Sequence, residues 1–172
     1  MATREQAILS SSMQQPPPLA IPRPLRIVVV DDSPDFLEVI CGLLRLEDSI
    51  EIVGYGTDGT QAIRVVADLH PDLLLMDVQM PYMSGSAATL LISQHFPTVN
   101  VVLMSSDDSL QTRIACKSAG AQALIYKPAF RKQFFEVLEK IYSGAGTQPT
   151  VDQDESSHAQ PEETSQNSIH GT

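Results

Sequence analysis

The chain has 172 residues, a formal net charge of −10 and 42% hydrophobic residues, enough for one globular domain with additional segments. No apolar run approaches the roughly 18 residues of a transmembrane helix. The N-terminal residues lack the basic start and apolar block of a secretory signal, so a cytoplasmic protein without a membrane anchor is expected. The acidic charge argues against direct nucleic-acid binding, because phosphate contacts need Lys and Arg.

The two ends of the chain differ in composition from its middle. Residues 1–22 are polar and then rich in proline, and consecutive prolines favour an extended backbone. Residues 145–172 are polar, with five acidic residues and no Lys or Arg. Neither segment carries enough apolar area to offset the entropy of ordering. Both are predicted to be disordered, as a Pro-rich tail and an acidic tail around a folded domain at residues 23–144.

The middle of the chain alternates short apolar runs with amphipathic helical stripes. Ser33 and Pro34 mark one helix start as an N-cap and a first helical residue. Apolar strands alternating with amphipathic helices indicate an α/β fold, a doubly wound parallel sheet with helices on both faces. The predicted strands are 25–30, 50–56, 72–76, 99–105 and 122–126, and the predicted helices are 33–47, 58–70, 84–96, 108–120 and 129–144.

Polar side chains stand at the ends of four of the five predicted strands. Asp31 and Asp32 follow the first strand, Asp77 follows the third, Ser105 closes the fourth, and Lys127 follows the fifth. Taken alone, each has an ordinary explanation as a turn, a cap or a surface residue. Doubly wound folds bind ligands at the carboxyl ends of their strands. The coincidence of all four groups at that edge therefore favours a functional site.

The residue types at this edge indicate chemistry on a phosphoryl group. Three carboxylates held close together repel, and a divalent cation relieves that repulsion. Oxygen-only ligands with room for waters are typical of Mg²⁺. A lysine and a serine hydroxyl would add a positive charge and a hydrogen-bond donor around a tetrahedral anion. Asp77 is central and is predicted to be the nucleophile that forms an aspartyl phosphate.

Residues 25–142, about 70% of the chain, resemble the receiver domain of bacterial two-component response regulators. The shared motifs are VVVDDS, MDVQMPYMSG, VVLMSS and SAGAQALIYKP, in the same strand and helix order. The resemblance implies a flavodoxin-like (βα)5 fold and a role in phosphorelay signal transduction. A histidine kinase or phosphotransfer protein would donate the phosphoryl group, and a downstream protein partner would respond.

The resemblance also implies roles for residues at the metal site. Asp77 matches the phosphoacceptor, which also contacts Mg²⁺. Asp32 matches the acid that binds the metal directly, and Asp31 matches its neighbour that acts through water. Gln79 matches the position whose backbone carbonyl completes the metal ligands.

Two further positions match the residues that respond to the phosphoryl group. Ser105 corresponds to the hydroxyl that moves toward a phosphoryl oxygen, and Lys127 corresponds to the lysine that pairs with that group. In the family the bond before the following proline, here Pro128, is usually cis. A cis bond is therefore expected here, where it would help to direct Lys127 into the site.

Three positions depart from the family pattern or vary within it. Ser84 replaces the usual acid and is expected to affect only the start of a helix. Leu124 stands at the switch position, where an aromatic ring is common, and the nearest aromatic is Tyr126. A leucine has no ring to swing between buried and exposed states, which puts the usual coupling in doubt. Asp107 lies two residues after Ser105, where family members tune the lifetime of the aspartyl phosphate.

The preferred interpretation is a stand-alone receiver that acts through protein contacts, since no DNA-binding output domain follows residues 25–142 in this sequence. It is not expected to be an enzyme beyond its own phosphoryl transfer and slow aspartyl-phosphate hydrolysis. The alternative is an adaptor with a receiver fold whose contacts ignore phosphorylation, which Leu124 motivates. A haloacid-dehalogenase-like phosphatase would need a DxD motif on the first strand. The segment GTDGT at residues 56–60 lacks its first acid.

Overall fold

The structure, a computed structural model, describes residues 24–143, and the tails predicted at residues 1–22 and 145–172 lie outside the described residues. Five parallel strands form one sheet in the order β2-β1-β3-β4-β5. The strands are β1 Leu25–Val30, β2 Ile50–Gly56, β3 Leu73–Asp77, β4 Asn100–Ser105 and β5 Ala123–Tyr126. The helices are α1 Pro34–Leu44, α2 Gly59–Leu69, α3 Gly85–His95, α4 Leu110–Ser118 and α5 Phe130–Ser143, with a 3-10 turn at Lys127–Ala129.

This architecture confirms the predicted doubly wound (βα)5 flavodoxin-like fold. The first strand, β1, lies inside the sheet, with β2 added on one side of it and β3, β4 and β5 added in turn on the other. The direction of winding reverses between β1 and β3. A crevice opens at such a reversal, at the carboxyl ends of the two strands. Among residues 24–143, none of the helices is both long and apolar enough to span a bilayer.

Two apolar clusters hold helices against the two faces of the sheet. Alternate residues of a strand point to opposite faces, so Ile27 and Val29 pack with α1 and α5, while Val28 and Val30 pack with α2, α3 and α4. All four side chains are fully buried. Burial of each such side chain stabilises the fold by about 1.5–3 kcal/mol. Burial on both faces explains why the strands read as continuous apolar runs.

Side-chain caps define where four of the helices begin. Ser33 accepts a hydrogen bond from the backbone N–H of Phe36, which confirms the predicted cap of α1. Asp58, Ser84 and Ser109 cap α2, α3 and α4 in the same way. Ser84 therefore acts at a helix start, as the sequence predicts. Each cap of this kind contributes about 1 kcal/mol.

The predicted boundaries differ from the observed ones by a few residues, chiefly at helix ends. The helix predicted at residues 33–47 ends at Leu44. The N–H groups of Leu46 and Glu47 donate to carbonyls three residues earlier, in turns, rather than four residues earlier as in an α-helix. The helix predicted at residues 108–120 is Leu110–Ser118, since Ser109 is its cap. The third strand includes Asp77 as its last residue.

Gly85 allows α3 to begin in close contact with the end of β3. The Gly85 N–H donates to the Val78 carbonyl at 3.0 Å. A Cβ atom at Gly85 would lie 2.0 Å from the carbonyl oxygen of Asp77, which is backbone and has no room to move away. Only glycine fits this contact, so the packing of α3 against Asp77 requires glycine at position 85.

We expect Gly85→Ala to lower the free energy of unfolding by about 3 kcal/mol, because the methyl group forces the backbone of β3 and α3 apart. Urea-induced unfolding measures the change. Gly42→Ala is the matched control, since Gly42 lies on α1 with nothing within 4 Å of its added Cβ. That variant should gain roughly 0.5–1 kcal/mol from helix propensity. Equal midpoints for Gly85→Ala and the wild type would contradict the contact.

Candidate functional site

Strand pairing brings the predicted site residues to one edge of the sheet. Val30 pairs with Met76, so Asp31 and Asp77 follow on neighbouring strands. Asp77 in turn pairs with Met104, the residue before Ser105. Asp31 extends the β1–β2 pairing, because its N–H donates to a β2 carbonyl at 3.1 Å. The carboxylates and the hydroxyl therefore occupy adjacent positions at the crevice.

The centre of the site is an ammonium group that bridges two carboxylates. Lys127 Nζ lies 2.7 Å from Asp31 Oδ2 and 2.8 Å from Asp77 Oδ1. Asp31 is fully buried and Asp77 is 4% exposed. The ammonium also lies 4.5 Å from the centroid of the Phe36 ring, where it is attracted by the face of the ring. One ammonium group thus forms ion pairs with two buried carboxylates.

Backbone amides fix the second oxygen of each carboxylate. The N–H of Gln79 donates to Asp77 Oδ2 at 2.9 Å, and the N–H of Ser33 donates to Asp31 Oδ1 at 3.0 Å. In both cases an aspartate accepts from the residue two positions later, a local turn that aspartate favours. Each carboxylate is therefore oriented with one oxygen on the backbone and the other on Lys127.

Burial and charge shift the pKa values of two groups at the centre. Burial raises the pKa of Asp77, and the negative charge of Asp31 acts in the same direction, while the contacts with Lys127 and the Gln79 amide oppose it. Burial alone would lower the pKa of Lys127, but its close contacts with the Asp31 and Asp77 carboxylates outweigh burial and raise it. Lys127 is thus held as a cation, and the site retains an excess of negative charge.

The donor atoms at the site suit a hard divalent cation. Asp31 Oδ2 is buried. It lies 2.7 Å from Lys127 Nζ but makes no well-directed hydrogen bond among residues 24–143. Asp32 and Gln79 are exposed beside it. Within the described range, no three Asp, Glu, His or Cys side chains are gathered closely enough to hold a metal. The oxygen-only donors and the uncompensated charge nevertheless fit Mg²⁺.

The end of β4 contributes a buried hydroxyl and a loop that is hydrogen-bonded to it. Ser105 is 2% exposed, and its Oγ accepts from the N–H of Asp107 at 3.0 Å. On the next strand, Leu124 is partly buried against the cluster formed with α2, α3 and α4. The predicted switch position is therefore occupied by an aliphatic side chain that packs on the core.

The prediction of a cis bond before Pro128 is wrong, since all described peptide bonds are trans. Lys127 reaches the site by another route. β5 ends at Tyr126, and Lys127 begins the 3-10 turn that leads into α5. The Tyr126 N–H donates to Gln133 Oε1 of α5 at 2.8 Å and holds this turn against the helix. The turn itself places the ammonium between the two carboxylates.

Sequence reasoning missed Phe36 as a site residue. Phe36 falls within the predicted helix at residues 33–47, and its ring lies against Lys127 Nζ. The available signal is its position, three residues after the Ser33 cap and therefore in the first turn of the helix that follows Asp31. A side chain there lies close to the carboxyl end of β1.

We expect Asp77→Asn to raise the free energy of unfolding by about 1 kcal/mol at neutral pH in EDTA, because it removes an unfavourable buried charge. The raised pKa of Asp77 sets the sign. Above the pKa that Asp77 has in the folded protein, its ionised carboxylate lowers the free energy of unfolding. As the pH falls from that pKa to the lower pKa of the unfolded chain, Asp77 becomes protonated and this loss of stability disappears. The advantage of asparagine should therefore shrink on acidification. Urea unfolding at several pH values measures it.

Asp48→Asn is the control for this comparison, because Asp48 is an exposed loop aspartate away from the site. Its stability should stay within about 0.5 kcal/mol of the wild type at each pH. A loss of stability in Asp77→Asn at neutral pH would mean that the pair with Lys127 outweighs desolvation.

Comparison with known proteins gives a consistent result. The model of the family described as response regulator receiver domain matches residues 27–139. A protein-glutamate methylesterase/protein-glutamine glutaminase of Myxococcus xanthus is 38% identical over 106 residues, which cover 61% of this chain and 30% of that protein. The transcriptional regulatory protein DegU of Brevibacillus brevis is 31% identical over 122 residues, covering 70% of this chain and 51% of DegU. The chain spans about half or less of these relatives.

Solved structures show the same architecture. The response regulator domain of Thermotoga maritima CheB aligns with a TM-score of 0.64 at 30% identity, covering 74% of this chain and all of that domain. The signal receiver domain of NarL from Mycobacterium tuberculosis aligns with a TM-score of 0.64 at 28% identity, covering 72% of this chain and 98% of that domain. The chain therefore belongs to the response regulator receiver domain family of two-component systems.

Proposed function

We propose that this chain is a phospho-accepting receiver in which Asp77 takes a phosphoryl group from a phosphohistidine donor, a histidine kinase or a phosphotransfer protein. The observation that carries the proposal is the buried Lys127 ammonium between Asp31 and Asp77. It lies at the carboxyl edge of the sheet, where the winding reverses. Membership of the receiver family supports the same assignment.

The contacts of Asp77 suit it to be the nucleophile. One oxygen is held by the Gln79 N–H and the other by Lys127. During transfer, a bond forms between an Asp77 oxygen and phosphorus while the bond from phosphorus to the donor imidazole nitrogen breaks. The imidazole leaves with the electron pair of that bond. Lys127 stays protonated and offsets the charge of the incoming phosphoryl oxygens, as phosphoryl transfer requires.

We propose that Asp31, Asp32, Asp77 and the backbone carbonyl of Gln79 hold Mg²⁺. When bound, the ion supplies positive charge that offsets both the carboxylates and the phosphoryl oxygens. The support is the single ammonium shared by two buried acids, since that arrangement leaves negative charge uncompensated. Asp31 Oδ2 is buried beside the Lys127 ammonium without a well-directed hydrogen bond, so it could also contact a metal ion.

The expected output is a change in protein–protein contacts. Ser105 would donate a hydrogen bond to a phosphoryl oxygen and Lys127 would pair with the new group, so that the loops after β4 and β5 respond. We propose that the receiver domain itself presents the responding surface. The related methylesterase is matched over 30% of its length only, and we assign no hydrolytic activity on protein substrates to this chain.

One observation favours a second candidate, an adaptor that binds its partner regardless of phosphorylation. Leu124 occupies the position where an aromatic ring would swing, and it packs against the core. If no other element responds to the phosphoryl group, the same surface is presented in both states. The complete set of acids, hydroxyl and lysine at the crevice supports the phospho-accepting receiver over this candidate.

We expect incubation with acetyl phosphate and Mg²⁺ to add one phosphoryl group to the purified protein. Intact mass spectrometry reads the product directly. EDTA should abolish the gain, because the carboxylates then repel the anion, and Asp77→Asn should abolish it by removing the acceptor. Asp48→Asn is the matched control and should gain the group like the wild type. A wild type that stays unmodified by both acetyl phosphate and phosphorylated kinases would favour the adaptor.

We expect Lys127→Ala to accept the phosphoryl group in the presence of Mg²⁺ but to lose the structural response. Without metal, the variant should be less stable by about 3 kcal/mol, because two buried carboxylates lose their counterion. Intact mass measures uptake, and amide hydrogen exchange with and without acetyl phosphate measures the response.

Lys132→Ala is the control for Lys127→Ala. Lys132 is exposed on α5, and its loss should change neither uptake nor response. Loss of uptake in Lys127→Ala at saturating Mg²⁺ would instead place the ammonium in the transfer step itself.

A further inference from the structure

An apolar groove lies between the end of α1 and the first turns of α5. Leu43 and Leu46 line one side of it, and Phe130, Phe134 and Phe135 line the other. We name the groove between these residues the α1–α5 groove. Its empty volume is about 330 Å³, at the lower end of the roughly 300–1,000 Å³ of binding pockets. A groove of this size fits a few side chains.

The groove leaves apolar surface in contact with solvent. Leu46 is 75% exposed, and Leu43 and Phe135 are only partly buried at the edge of the core. The Phe130 and Phe134 rings stack with their centroids 5.1 Å apart, and Phe135 meets Phe134 edge-on at 5.2 Å. The aromatic side of the groove is thus fixed by its own ring contacts. Covering Leu46 and Phe135 would remove apolar area from water, which is favourable.

The polypeptide enters β1 beside this groove. The Leu25 N–H donates to the Ser49 carbonyl at 2.7 Å, and the Ile50 N–H donates to the Glu47 carbonyl at 3.0 Å. Glu47 also lines the groove. The start of β1 therefore lies next to the loop that forms one end of the groove, and the residues before β1 extend from that point.

The sequence immediately before β1 has a composition that suits an aromatic groove. Residues 14–22, QQPPPLAIP, carry no charge and combine three consecutive prolines with Leu19 and Ile21. Consecutive prolines favour an extended backbone, and Pro-rich segments dock in aromatic-lined grooves at a low entropic cost for that reason. At about 3.1 Å per residue, seven such residues span about 20 Å, and α1 is roughly 16 Å long. The segment is therefore long enough to follow the groove.

We propose that residues 16–22 of this chain, which lie outside the described residues, dock in the α1–α5 groove. In the docked state the side chains of Leu19 and Ile21 cover Leu46. Only Arg23 and Pro24 separate the segment from β1, and so short a connection gives an effective concentration in the mM range. A weak contact is then enough to hold the segment. Docking replaces the sequence-based prediction of disorder for these seven residues.

The size and charge of the groove favour this segment over a second copy of the chain. A stable protein interface uses about 20–30 residues on each side, whereas eight described residues line the groove. Glu47 and Arg131 stand among them with opposite charges, which suits an uncharged segment. The docking does not involve Asp77 and holds whether or not that residue is phosphorylated.

The first experiment measures amide hydrogen exchange at residues 45–47 in the full chain. Leu19→Ser with Ile21→Ser should raise exchange there about fivefold, the factor expected when the effective concentration of the segment is about four times its dissociation constant. Ile8→Ser with Leu9→Ser is the matched control, since it makes the same two replacements farther from β1, and it should exchange like the wild type. No increase in the first variant, or an equal increase in the control, would overturn the proposal.

The second experiment tests the groove as the docking site. Leu46→Ser should retain the fold, because the Leu46 side chain is 75% exposed. In that background, Leu19→Ser with Ile21→Ser should leave exchange at residues 45–47 unchanged, because both sets of changes remove the same contact. A further increase of about fivefold would place the segment elsewhere and overturn the proposal.

The third experiment identifies the occupant by isotope-filtered NMR. The methyl protons of Leu19 and Ile21 should show nuclear Overhauser effects to the Phe135 ring in labelled protein. In a mixture of labelled and unlabelled chains, no such effects should connect one chain with another. Absence of all these contacts would overturn docking, and contacts found only between chains would overturn it in favour of a second copy.

Discussion

The pairing of one buried lysine with two buried aspartates is the constraint on which the rest of the site depends. Placing two carboxylates at the ends of adjacent strands costs free energy through desolvation and mutual repulsion. Lys127 offsets part of that cost at 2.7 Å and 2.8 Å from the two acids. The remaining negative charge makes the crevice receptive to a further cation. An anion is accommodated there only when enough positive charge accompanies it.

Several parts of the fold serve to hold this pairing in place. The strand order brings β1 and β3 together, so that Asp31 and Asp77 are neighbours although 46 positions separate them along the chain. The amides of Ser33 and Gln79 orient the two carboxylates. Lys127 comes from the turn that follows the edge strand β5. Binding chemistry at one edge is thus supported by residues from three strands.

The sequence predicted the fold and the residues of the site better than it predicted their contacts. Continuous apolar runs and capped amphipathic stripes are local signals, and they predicted the five strands and five α-helices found in residues 24–143. Asp31 and Asp32 are adjacent residues of the same type, and the family resemblance distinguishes their roles but not their burial. In the structure Asp31 is fully buried and Asp32 is exposed. The alternation of side chains along β1 predicts this difference, because Asp31 lies on the same face of the strand as Ile27 and Val29. No local sequence signal predicts the trans bond before Pro128, because the cis and trans forms of an X–Pro bond differ in free energy by only about 0.5–1 kcal/mol.

The contact between Gly85 and the carbonyl of Asp77 has a mechanical consequence. α3 begins directly against the backbone of Asp77, the proposed acceptor, with no space for even a methyl group. The backbone of Asp77 is therefore held by a helix and by strands on both sides. Modification of its side chain would leave this backbone in place, so that any displacement would fall on the loops that follow β4 and β5. The direction in which a signal would leave the site is thus set by which neighbours of Asp77 have room to move.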